Sequence, residues 1–184
     1  LSANVSKEPT PLPITRLYLV RHGETLANRE YRYIGTRDDP LSAHGQTQAT
    51  QLAEALSGLP IAAVYSSPLQ RTYDTALPVA ARLSLEVQIV DDLRECDFGI
   101  WEGLSRAEVL ERSPEDSQRL REWEQNTSVA PPGGESFEAL QQRVITAVER
   151  LTQAHPDQAI VLVSHVGPIK VLLSAALGAP LASA

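Results

Sequence analysis

Cysteine occurs once in this 184-residue chain, methionine not at all, and aromatic residues make up only 5% of it. The single thiol, Cys96, cannot close an internal disulfide, so burial and hydrogen bonding must hold the fold, and the cytoplasm is the expected compartment. Long apolar runs are missing as well. Nothing approaches the ~20 residues that a membrane span needs, and the opening LSANVSKEPTPLPIT lacks the apolar stretch of a signal peptide. Positive charge is in deficit: 16 Lys and Arg face 23 Asp and Glu, for a formal charge of −7. With no basic cluster, neither nucleic acid nor an anionic membrane surface is an expected partner.

What is present is 42% hydrophobic and 21% charged residues, enough for one core and one α/β-sized domain. Prolines at 9, 11 and 13 forbid a helix and favour an extended, polyproline-like segment. Residues 1–14 are therefore expected to be a linker or tail and residues 15–184 a single domain. The chain starts at Leu1 without methionine and ends in LGAPLASA just after a helical pattern. It is expected to be a piece of something longer, and any continuation past residue 184 stays open, as does the oligomeric state.

Four short apolar runs have strand length: LYLV (17–20), IAAVYSS (61–67), LEVQIV (85–90) and AIVLVS (159–164). Helical patterns lie between them. One covers 42–57, with Ser42 as N-cap and Gly58 just past the end. A second covers 69–83, where Pro78 should kink or interrupt it. A third opens at the capping box Ser105-Arg106-Ala107-Glu108. A fourth follows Ser136, with Phe137, Leu140, Val144, Val148 and Leu151 at intervals of three and four. A last one covers about 168–177. Strands alternating with helices, several of them apolar throughout, predict an α/β fold: a mainly parallel sheet with helices on both faces.

Ligands of open parallel sheets bind beyond the carboxyl ends of the strands. Those ends carry Arg21 and His22 after the first run, Arg71 after the second, Glu95 after the third and His165 after the fourth. Each alone has a plain structural explanation: a satisfied histidine, an Arg71–Asp74 helix pair, an acidic loop of Asp91, Asp92, Asp97 and Glu102 around Glu95. Together they have a chemical one. Two guanidinium forks match a phosphate dianion. Gly23 would let backbone approach a ligand, a neutral histidine can attack phosphorus, a second can steady the equatorial oxygens, and a carboxylic acid can protonate the departing oxygen. That set suffices for phosphoryl transfer without a metal or another cofactor. Other hydrolase arrangements leave no trace: Cys96 has Glu102 rather than arginine six residues later, and Gly-x-Ser-x-Gly, a phosphate-binding Walker loop and a His or Cys metal pattern are all missing.

RHGET at 21–25 resembles the signature of the histidine phosphatase superfamily, the phosphoglycerate mutase-like group. Further similar blocks occur in order: GTRDDPLSAHGQTQA (35–49), VYSSPLQRTYDTA (64–76), LRECDFGIWEG (93–103), PPGGES (131–136) and VLVSHVGPI (161–169). The resemblance implies that His22 is the phosphoacceptor, Arg21 and Arg71 bind the phosphate, His165 is the second pocket histidine and Glu95 the proton donor. Asn28 is placed near phosphate or substrate, Gly35 in a pocket-lining segment, and His44 and His155 on the surface. A small phosphorylated metabolite is the implied partner, and no metal is implied. Phe-Gly-x-Trp-Glu-Gly after Glu95 is similar to the phosphatase branch, with its α-ribazole phosphatases, broad-specificity acid phosphatases and metal-independent phosphoserine phosphatases, rather than to the mutases. The alternatives are a phosphoglycerate-type mutase and a catalytically idle docking module. A similar domain follows a ribonuclease H domain in some bacterial chains, which the Pro-rich start would suit. Selectivity is assigned to the loops at 28–40 and 99–135, and Tyr33, Phe98, Trp101 and Trp123 mainly to the core.

Overall fold

A computed structural model of the protein describes residues 13–181; the segment expected to be a linker lies outside them apart from Pro13 and Ile14. Four strands, β1 (Arg16–Arg21), β2 (Ile61–Ser66), β3 (Val87–Ile89) and β4 (Ala159–Ser164), form one parallel sheet in the order β1-β4-β2-β3. Strand β4 is central and buried along its whole length, which is why AIVLVS is apolar at nearly every position. Side chains alternate across it. Ile160 and Leu162 enter one core layer with Tyr65, Trp101, Trp123, Phe137, Leu140 and Val144, whereas Val161 and Val163 enter another with Val64, Ala53, Ala76 and Val79. Helices therefore cover both faces, as expected. Strand β3 is shorter than the run 85–90, because it is an edge with only β2 to pair with and its Gln88 and Ile89 face solvent.

Among the described residues six α-helices connect these strands, α1 (Leu26–Arg29), α2 (Ala43–Leu56), α3 (Gln70–Leu83), α4 (Arg106–Arg112), α5 (Pro114–Gln125) and α6 (Phe137–Ala154), and α7 (Val166–Ala176) follows β4. Ser42 caps α2 by accepting the Gly45 N–H at 3.1 Å, and Ser105 with Glu108 forms the expected capping box of α4. Of the two outcomes expected at Pro78, an interruption does not occur, since α3 continues through it. The proline forfeits a bond to the Asp74 carbonyl, but Ala76, Val79 and Ala80 are almost completely buried on either side of it, and that burial holds the helix together. Helix α7 starts two residues earlier than expected, with Pro168 in its first turn, where the N–H would have had no helical partner.

The segment 99–135 is not a loop. It holds α4 and α5, the latter announced by Ser113 as N-cap and Pro114 at its first position. It packs Trp101 and Trp123 into the core, with the Trp101 indole donating to Asp116 at 3.0 Å. His155 is half-buried rather than on the open surface: its Nε2 meets the Tyr65 hydroxyl at 2.8 Å and its Nδ1 meets Gln158 at 2.7 Å. His44 is exposed, as expected.

Candidate active site

Strand register brings the two expected histidines together. Arg21 on β1 pairs with Ser164 on β4, so the next residues, His22 and His165, leave adjacent strands side by side. The His22 N–H continues the ladder to the Ser164 carbonyl at 3.0 Å, and the two imidazoles lie 5.2 Å apart at 60°.

His22 is held in one tautomer. Its Nδ1 sits 2.7 Å from the Gly23 carbonyl, which can only accept, so Nδ1 carries the proton and Nε2 keeps its lone pair. Burial, opposed by that bond and reinforced by the charges of Arg71 and Arg21, lowers the His22 pKa from 6.5 to about 4. The ring is thus neutral and nucleophilic at ordinary pH. Gly23 serves a different purpose from the one expected. A Cβ there would stand 2.6 Å from the Gly45 carbonyl, so the glycine lets α2, rather than a ligand, come close. Thr75, accepting the Gly23 N–H at 2.9 Å, ties the same turn to α3.

His165 is fully buried, and burial with the nearby Arg71 charge pushes its pKa well below the ordinary value. Its Nε2 lies 2.9 Å from Ser67 Oγ, and its Nδ1 has no partner among the described residues. That leaves Nδ1 as a buried nitrogen free to meet a ligand.

Arg71 is 1% exposed and does not pair with Asp74. Its terminal nitrogens donate to the carbonyls of Arg37 at 2.6 Å and Gly35 at 2.8 Å, while Nε has no acceptor among the described residues. A buried guanidinium bound only to carbonyls has no direct carboxylate partner and can receive an anion, although Glu95, Asp38, Asp39 and Glu102 act on its charge from a distance. Gly35 acts on the site through this bond. A Cβ there would stand 2.1 Å from the Cys96 carbonyl, and Gly35 is not among the residues lining the cavity at His22. Glu102 supports the same strap by accepting the N–H groups of Gly35 and Thr36 at 2.9–3.1 Å. Arg21 is exposed at the strand end, and Asn28, whose Oδ1 caps Thr25, lines the cavity beside it.

Glu95 is 5% exposed and lines that cavity with His22. Burial raises its pKa against the opposing pull of N–H donors from Cys96 at 2.8 Å and Gly167 at 3.2 Å, so the carboxyl is biased toward the protonated form. Asp97, its sequence rival, bonds the Gly99 N–H at 2.8 Å and lies outside the cavity. The Cys96 thiol, its pKa pushed up by burial, is no nucleophile.

One residue of the site was not foreseen. Arg143 on α6 donates to the carbonyls of Asp92, Arg94 and Glu95 at 2.6–2.9 Å and forms a two-pronged pair with Glu135 at 2.7–2.8 Å. It clamps the loop that presents Glu95. The sequence signal was an arginine one turn beyond Leu140 at the border of the apolar stripe; in the structure only 17% of its side chain is exposed.

A parallel α/β protein whose strand ends gather two histidines, two arginines and a buried carboxylic acid belongs to the class built to hold a phosphoryl group. The chain is a member of the histidine phosphatase superfamily (branch 1), whose sequence model matches residues 17–184. It is 47% identical over 166 residues to the bifunctional protein Rv2228c of Mycobacterium tuberculosis, covering 90% of this chain and 45% of that protein. The chain thus spans about half the length of that relative. It is 41% identical to phosphoserine phosphatase 1 of Hydrogenobacter thermophilus over 91% of this chain and 79% of that one. The solved structure of the alpha-ribazole phosphatase from Shigella flexneri superposes with a TM-score of 0.80 at 35% identity, over 90% of this chain and 81% of that one.

Proposed function

We propose that this chain is a phosphomonoester hydrolase working through a phosphohistidine at His22. The observation that carries this reading is a pair of buried nitrogens without partners among the described residues, Arg71 Nε and His165 Nδ1, in one cluster with His22, whose ring lies 5.2 Å from that of His165 and feels the Arg71 charge. In the first step His22 Nε2 attacks phosphorus, the P–O bond to the leaving group breaks, and Glu95 gives its proton to the departing oxygen. In the second, water attacks phosphorus, the P–N bond breaks, and the Glu95 carboxylate takes the proton from water. Arg21, Arg71 and His165 offset the charge on the three equatorial oxygens, and Asn28, whose amide nitrogen has no partner among the described residues, adds a donor. No metal is assigned a role. A small phosphorylated metabolite is the substrate class, consistent with the phosphoserine and α-ribazole phosphatases among the relatives.

Hydrolysis is favoured over mutase chemistry by the mouth of the site. Arg21 is exposed there, and Tyr31, also at the rim, is 89% exposed, so water can reach a phosphoenzyme that a mutase must shield. The test is trapping with a phosphoryl donor and then acid-free mass spectrometry. Phosphate on His22 and its loss, together with turnover, in His22→Ala are expected. Label on another residue, or near-normal turnover by the variant, would refute the mechanism.

A further inference from the structure

The cavity that holds His22 and Glu95, about 260 Å³ in all, extends past the catalytic end into a chamber whose walls are of a different kind. Tyr33, Phe98, Trp123 and Phe137 form an aromatic cluster with ring centroids 5.1–6.1 Å apart along one side. Trp123 is 1% exposed, yet its indole N–H has no acceptor among the described residues. Opposite, α7 contributes Val166, Gly167 and Lys170. Gly167 holds Glu95 through its N–H, and Lys170 comes three residues later, on the same helix face.

The charge on these walls is one-sided. Among the described residues, Glu95 is the only carboxylate lining the cavity. Of the cations, Arg32 is committed to Glu30, Glu108 and the Gly103 carbonyl. Lys170, the one lysine among the described residues, is exposed and makes no hydrogen bond or ion pair with any of them. Tyr31, held at φ 53°, where a bulky residue is strained, presents its ring at the mouth. The whole cavity, catalytic end included, is smaller than the ~300–1,000 Å³ typical of sites for drug-sized ligands, which suits a small leaving group.

Resting on the phosphatase reading above, we infer that this chamber is the leaving-group site. It selects phosphomonoesters whose alcohol carries a carboxylate, which pairs with Lys170, on a compact body that lies against the Tyr33, Phe98 and Trp123 wall. Lys170 is thereby a specificity-determining residue: a point charge on a flexible stem, one helical turn from the residue that holds the catalytic acid.

The experiment compares kcat/KM for phenyl phosphate with that for 3- and 4-carboxyphenyl phosphate in the wild-type chain, Lys170→Gln and Lys170→Arg. Because the same esters are used throughout, intrinsic leaving-group differences cancel between enzymes. The wild type should prefer the better carboxylated ester by roughly tenfold or more, the scale of a charge-assisted contact. The preference should fall toward one in Lys170→Gln, survive in Lys170→Arg, and weaken as salt is raised. A wild-type ratio near one, or a ratio unchanged in Lys170→Gln, would overturn the assignment while leaving the phosphatase reading intact. No turnover of any ester, with no phosphohistidine, would overturn both.

Discussion

Replacing Glu95 by Gln takes away the proton that the leaving oxygen needs and alters little else. Oε1 accepts the Cys96 N–H at 2.8 Å and shares the Gly167 N–H, at 3.2 Å, with Oε2, so a glutamine oxygen at the Oε1 position keeps a bond to each donor and only the Oε2 half of the shared one is lost. The loss should therefore be chemical and should scale with the basicity of the departing oxygen. An alkoxide needs its proton in the transition state, so kcat on an alkyl phosphate should drop by ~10²- to 10⁴-fold, or about 3–5 kcal/mol of barrier. Nitrophenolate leaves nearly unaided, so p-nitrophenyl phosphate should lose far less. The pH profile gives a second reading. In the wild type kcat/KM should rise through the His22 pKa of about 4 and fall through the elevated pKa of Glu95. The variant should lose the alkaline limb and keep the acidic one. Stability moves the other way: a carboxyl whose folded pKa is raised contributes stability that is present below its unfolded pKa and lost as pH rises through the folded value. The uncharged amide of Glu95→Gln escapes that loss, so the melting temperature of the variant should gain on the wild type as pH rises. Equal losses on the alkyl and nitrophenyl esters, or an unchanged alkaline limb, would refute general acid catalysis by Glu95.

Arg143→Lys breaks the clamp on the Glu95 loop but leaves the chemical groups in place. It should lower turnover of alkyl more than aryl phosphates, with an altered alkaline limb in the pH profile, and a uniform loss on both esters would mean that Arg143 only supports folding. His22 has its folded pKa depressed from 6.5 to about 4, so its stabilising contribution is present above pH 6.5 and lost as pH falls toward 4, by roughly 3 kcal/mol. Denaturant titrations at pH 7 and pH 4.5 should accordingly show a smaller acid loss for His22→Asn than for the wild type, and identical losses would contradict the burial of a neutral imidazole. Chelators should leave turnover intact while phosphate and vanadate compete with substrate, because Arg21, Arg71 and His165 supply the positive charge; inhibition by a chelator that Mg²⁺ or Zn²⁺ reverses would overturn this.

Local chemistry is what the sequence by itself determined. Ser42 and Ser105 as caps and the stripe from Phe137 to Leu151 depend on neighbours within a few residues and formed where periodicity placed them, and each apolar run holds a strand, the edge run 85–90 only over its middle. The five central site residues were legible because each ends a strand or opens the segment after one, and parallel strands bring their carboxyl ends to one edge. Tertiary structure decided what depends on distant partners. Burial on both sides of Pro78 overrode its local preference, α2 accounts for Gly23, and Arg71 turned from Asp74 toward carbonyls more than 30 residues away. The clamp of Arg143 on the Glu95 loop joins residues almost 50 positions apart, and the aromatic chamber joins residues from 33 to 170. No periodicity encodes such distances. They are set when the helices dock on the sheet, and with them the side of the pocket that meets the leaving group.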